Sequence, residues 1–251
     1  MLMTLAPTFD LAIDVLSTQV TDEKKTSVQV AVEFVNATTV AFSYTTLGHN
    51  NPNAYKNQVS LWQSNTAQIP FGSPEQSSAV ILGTHKNGDQ TMVGQQITNL
   101  SYVLGYAVGP DTTCNPDSQY FNTVASAFIP AERQKSRSTD AKTCNIQTNY
   151  VGRNTVAFDY AFLAGFVPNS AKAWVGLWKG KPNTYDTAPT WHAALETDQS
   201  SSSWAFNGVT ILPKRKYTLG LFSTGFSEDS SDLDLKRLAA KSVFSTGDGQ
   251  D

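Results

Sequence analysis

The chain has 251 residues, room for two domains of about 100 residues each. Hydrophobic residues make up 40% of it and charged residues 16%, the balance of a globular protein. A formal net charge of −3 argues against nucleic acid as a partner, since its binders need a basic face, and no stretch approaches the roughly 20 apolar residues of a transmembrane helix.

Residues 1–27 read as an N-terminal extension. Leu5, Phe9, Ile13, Leu16 and Val20 recur at helical spacing, while Phe9, Leu11, Ile13 and Val15 alternate equally well, so helix and strand both stay open. The opening MLMTLAP lacks a basic flank and soon meets Asp10, a poor secretory signal. The compartment is therefore undetermined: cytoplasmic, reached by a signal-independent route, or reached with a signal since removed.

From residue 28 the period is two. Val28, Val30, Val32 and Phe34 alternate with polar residues, then Val40, Phe42 and Tyr44, then Val59 and Leu61. Turn-rich sequence such as Gly48-His49-Asn50-Asn51-Pro52-Asn53 separates them. The same pattern then returns at a constant offset of 116 residues: Val35, Val40, Phe42, Tyr44, Val59, Leu61 and Trp62 recur as Val151, Val156, Phe158, Tyr160, Val175, Leu177 and Trp178. The chain is thus a tandem duplication. A first β-sandwich repeat covers 28–130, a polar linker 131–142, a second repeat 143–244, and a disordered tail 245–251. Short strands without helical stretches between them predict two tandem antiparallel β-sandwiches.

In the second repeat, Ile211-Leu212-Pro213-Lys214-Arg215-Lys216-Tyr217 resembles the Leu-Pro…Tyr corner of fibronectin type III modules, a device shared with immunoglobulin-like sandwiches. The first repeat keeps Leu100 and Tyr102 but shortens the turn and lacks the proline. The run from Ala173 to Lys179, with Trp204-Ala205-Phe206, Leu212-Pro213-Lys214 and Tyr217, is also similar to SKICH modules. These are immunoglobulin-like sandwiches that act in targeting or partner binding. The resemblance implies a fold and no catalysis.

The common hydrolytic chemistries need a base near a nucleophile, or a metal with clustered ligands. His49, His85 and His192 are scattered, and no nucleophile elbow or phosphate loop is present. No enzyme, cofactor or zinc site is expected. The two cysteines, Cys114 and Cys144, leave open a disulfide across the junction or two free thiols. Asp229, Asp232 and Asp234, with the serines between them, are a weak calcium candidate at no EF-hand spacing.

The tryptophans carry the strongest functional signal. Val175 and Leu177 occupy the apolar phase of their strand, so Trp174, Gly176 and Trp178 share its other face, with Trp62 as the counterpart in the first repeat. Parity predicts an outward aromatic platform fitted to a sugar ring or a protein hot spot. The expected function is non-catalytic recognition of a surface ligand, most plausibly carbohydrate, through exposed aromatics. The alternatives are a protein-interaction or structural module of a larger assembly, with an oligomer possible, or a secreted toxin or effector subunit.

Overall fold

A computed structural model of the chain describes residues 20–110, 119–131 and 141–247. The helical and extended readings of the segment before Val20 lie outside these residues, as does Cys114. Among the described residues the regular secondary structure is almost entirely strand, the exceptions being short helical turns such as Pro168–Ala171 and Leu235–Arg237. The described end of the N-terminal extension forms β1 (Val20–Ser27), and the first repeat then runs through β2 (Gln29–Asn36), β3 (Thr39–Thr45), β4 (Gln58–Gln63) and β5 (Ser77–Val80). It continues with β6 (Asn87–Val93), β7 (Tyr102–Ala107) and β8 (Thr123–Ile129). The end of the linker, with Thr143, forms β9 (Ala141–Thr143), and the second repeat runs on through β10 (Asn145–Val151), β11 (Thr155–Ala161) and β12 (Trp174–Lys179). It ends with β13 (Trp191–Ala194), β14 (Ser201–Asn207), β15 (Lys216–Phe222) and β16 (Leu238–Thr246). The last strand extends two residues into the segment expected as a tail.

Every strand pairing is antiparallel, and the duplication is visible in the strand order. One repeat has a three-stranded sheet β2–β3–β6 and a five-stranded sheet β5–β4–β7–β8–β9; the other has β10–β11–β14 and β13–β12–β15–β16–β1. Alternation explains the layers, because Val40, Phe42 and Tyr44 on β3 and Val156, Phe158 and Tyr160 on β11 are all buried. At the corner, the Leu212 N–H donates to the Tyr217 hydroxyl at 2.8 Å, and the Thr98 N–H donates to the Tyr102 hydroxyl at 3.0 Å. The tyrosine bond is thus present in both repeats, with or without the proline.

The strand that leads into each repeat lies in the other repeat's sheet. β1 pairs along its length with β16, from Val20 opposite Thr246 to Ser27 opposite Ala240, and β9 pairs with β8. The crossing points are single residues, Val28 between β1 and β2 and Cys144 between β9 and β10, and these two occupy equivalent places in the duplication. Both are completely buried. The Val28 N–H donates to Ala239 O at 3.2 Å and the Cys144 N–H to Val124 O at 3.0 Å. Thr143 Oγ1 donates to Val28 O, so the two crossings touch. Cys144 is a free thiol, and burial pushes its pKa up to about 12.

The loops that meet between the sandwiches complete the junction. Phe121 lies 5.1 Å from Phe166, which stacks on Phe162 at 4.2 Å. On the other side Asn50 Nδ2 donates to the Tyr185 hydroxyl at 2.7 Å, and Tyr185 stacks on Tyr55. The Arg237 guanidinium, anchored to Asp234 at 2.8 Å, donates to Val108 O at 2.8 Å and Pro110 O at 2.6 Å. Asn50 and Phe166 are equivalent positions in the duplication, and Arg237 matches Asn122, since the Ser223 N–H donates to Arg237 O as the Val108 N–H donates to Asn122 O.

Candidate functional site

The expected tryptophan platform is closed. Trp62, Trp174 and Trp178 are each at most 2% exposed. Their strand parity is as the sequence implies, but loops cover the face they share. Trp174 stacks on Phe222 at 3.7 Å and donates Nε1–H to Thr224 O at 3.0 Å. Trp178 donates to Thr187 O at 2.8 Å, and Trp62 to Ser73 O at 3.1 Å. Each indole has its polar edge satisfied by a loop carbonyl, as a buried ring requires. The small residue between the tryptophans serves packing, since a Cβ on Gly176 would lie 2.7 Å from Trp178 Cη2.

The acidic loop is likewise not assembled for calcium. Asp229 accepts from Ser231, while Asp234 caps the 3₁₀ turn Leu235–Arg237 and binds Arg237. Among the described residues no group of three or more His, Cys, Asp or Glu side chains could hold a metal ion. His192 sits between Trp174 and Phe226. None of the expected ligand or metal residues is brought together with another into an open site.

The structure brings a different aromatic to the surface, and does so twice. Phe34 is 55% exposed, although alternation from Val28 places it inward. A β-bulge between Val32 and Phe34 shifts the phase, so that Val35 faces Val40 and Phe34 turns out opposite Ala41. The second repeat has its bulge at the equivalent place, between Thr148 and Tyr150, and Tyr150 is 37% exposed opposite Ala157. Each ring therefore stands on the outer face of a three-stranded sheet beside small residues, Ala41 and Thr91 in one repeat, Ala157 and Ala205 in the other.

A polar row adjoins each ring. In the first repeat the bulge residue Glu33 accepts from Ser43 Oγ at 2.5 Å. In the second, Asp159 accepts from Ser203 Oγ at 2.6 Å and from Gln147 Nε2 and Asn149 Nδ2 at 3.2 Å each. The Ser203 bond first, then Gln147, holds the Asp159 carboxyl below the usual carboxylate range. Lys25, on the strand donated by the other repeat, donates to Gln147 Oε1 at 3.0 Å and fixes that amide. Gly152 admits the Tyr150 ring, whose Cε1 lies 3.2 Å from where a Cβ would sit. A cleft of about 320 Å³, between β2, β3 and β9, borders the first site at Ala31 and Ser43.

In the second repeat this is an apolar ring face next to the Asp159 carboxylate and the side-chain amides of Gln147 and Asn149. A carboxyl held low accepts hydrogen bonds at neutral pH, whereas a general acid needs a raised pKa. The signal for these residues was in the sequence, since Phe34 recurs as Tyr150 and Val35 as Val151. Local alternation hid it by assigning Phe34 to the core.

No family model matches this chain, and no curated protein matches it significantly. Among solved structures it is similar to a Salmonella α2-macroglobulin reacted with methylamine, at 10% identity and a TM-score of 0.25. The match covers 91% of this chain and 17% of that one. A likeness of that strength carries no argument about function. No helix among the described residues is long and apolar enough to cross a membrane.

Proposed function

We propose that the protein is a non-catalytic recognition protein that binds carbohydrate at two related sites, one on the outer sheet face of each repeat. The supporting observation is the recurrence, at equivalent bulges, of an exposed aromatic beside small residues and a fixed polar acceptor. Tyr150 offers its ring face to a pyranose, while Asp159 and Asn149 meet ring hydroxyls. Phe34, Glu33 and Ser43 repeat the arrangement with a more apolar ring. Two weak sites on one chain gain avidity when a repeating glycan spans both.

A glycan array with the intact protein, run beside Tyr150→Ala and Phe34→Ala, tests this. Binding that falls in either single variant and vanishes in the double, with unchanged circular dichroism, supports the proposal. Glycan binding that survives the double variant refutes it. A second reading, a protein-interaction module of a larger assembly, is favoured by the first repeat's exposed Val93, Leu82 and Phe34. Silence on the array with a captured partner lost in Phe34→Ala would select that reading.

A further inference from the structure

The two repeats finish one corresponding edge of their sandwiches differently. β5 and β13 are the outer strands of the five-stranded sheets, and β6 and β14 those of the three-stranded sheets. Their pairings match position by position: Val80 faces Gln58 as Ala194 faces Trp174, and Gln90 faces Phe42 as Trp204 faces Phe158. The Ile81 N–H donates to Asn57 O at 2.8 Å and the Leu195 N–H to Ala173 O at 2.9 Å. Backbone groups alternate in an antiparallel ladder, so Val80 and Ala194 turn theirs away from the sheet. In the first repeat Gln90 meets them: its Nε2 donates to Val80 O at 2.8 Å and its Oε1 accepts from the Leu82 N–H at 2.8 Å. One amide closes the edge as the peptide unit of a further strand would. The second repeat has Trp204 there instead, and among the described residues nothing donates to Ala194 O or accepts from the Glu196 N–H.

Two features border this open edge. Trp191 and Trp204, on the inward faces of β13 and β14, are half-buried. Among the described residues neither indole N–H has an acceptor, whereas those of Trp62, Trp174 and Trp178 all do. On the other face of β13, a cavity of about 360 Å³ is lined by Ala194, Phe226, Lys172 and the carboxylates of Glu196 and Glu228. Among the described residues neither carboxylate forms an ion pair, so two acids against one amine leave the cavity negative.

We infer that this edge of the second repeat takes an extended segment of a partner protein as an added strand, one with an apolar residue next to a lysine or arginine. Its backbone does for Ala194 O and the Glu196 N–H what the Gln90 amide does in the first repeat. Successive side chains of a strand point to opposite faces. The apolar residue therefore meets Trp191 and Trp204 between the sheets, and its neighbour's cation enters the cavity beside Glu196 and Glu228. Main-chain bonds give affinity in such strand addition and the alternate side chains give specificity. Gln90 denies the first repeat the same partner. The site is separate from the outer-face rings Phe34 and Tyr150 and does not depend on what they bind.

The test pans a displayed library of random heptapeptides on the intact protein and measures the enriched peptides by fluorescence anisotropy. They should carry an aliphatic or aromatic residue next to Lys or Arg. Trp204→Gln, which installs the closing amide of the first repeat, should weaken them at least tenfold. Glu196→Lys combined with Glu228→Lys, at side chains that hold no bond of the fold, should do the same and gives the answer if Trp204→Gln does not fold. Saturating peptide should also slow hydrogen exchange at the Glu196 amide and leave Leu82 unchanged. Four results overturn the inference: no enriched peptide, enrichment without a basic residue, equal binding by the folded variants, or a Glu196 amide that exchanges at the same rate with peptide bound.

Discussion

Trp178→Ala separates a core ring from a binding ring. Trp178 is 2% exposed, lies 6.0 Å from Phe222, and closes over the facing pair Gly176 and Gly220. Ring atoms approach to 2.7 Å and 3.0 Å of where those glycines would carry Cβ atoms. Truncating a buried tryptophan costs about 3–5 kcal/mol. The upper part of that range applies here, because two glycines offer no side chain to collapse into the space. The variant also leaves Thr187 O without its indole donor. Against a total stability of about 5–15 kcal/mol, this is a large fraction. Urea denaturation followed by far-UV circular dichroism reads it directly. With a slope of about 2–3 kcal/mol per molar, a loss of about 4–5 kcal/mol should lower the midpoint by roughly 1.3–2.5 M. Glycan binding should stay proportional to the folded fraction. A loss under about 1 kcal/mol, with binding abolished, would refute the assignment of this ring to the core.

Other perturbations follow from the same packing. Arg237→Met removes guanidinium bonds to Val108 O and Pro110 O across the junction, and should cost about 2–4 kcal/mol in the same denaturation assay. Burial, the largest cause for each, raises the pKa values of Tyr106 and Tyr185 above their ordinary value. Both hydroxyls therefore favour folding while neutral, and that stability is present below about pH 10 and lost as pH rises beyond it. The melting temperature should hold up to that point and then fall, with tyrosinate absorbance from these two residues appearing only on unfolding. The Cys144 thiol, pushed up to about 12, should react with a thiol reagent only after denaturant is added, which timed labelling with mass mapping of the site would show. Asp159→Asn keeps the shape but removes the charge that the Ser203 and Gln147 bonds stabilise. It should weaken glycan binding several-fold at pH 7 by titration calorimetry with little change in melting temperature.

Much of the architecture was legible in the chain. The period of two and the offset of 116 residues determined two antiparallel sandwiches and the identity of most inward residues, because alternation and duplication are written locally. What covers a sheet is not written locally. Trp174 and Trp178 lie on the strand face that parity assigns, yet the loops through Thr224 and Thr187 fold over them and carry their hydrogen bonds. Phe34 escaped notice for the converse reason, since one extra residue at a bulge reverses the phase of everything after it without disturbing the hydrophobic pattern before it. The tertiary structure alone decided which sheet each leading strand joins. β1 has the same sequence whichever repeat receives it. Its place is set by the one-residue crossing at Val28 and by partners far along the chain, such as Ser242, whose hydroxyl donates to Glu23 across 219 residues.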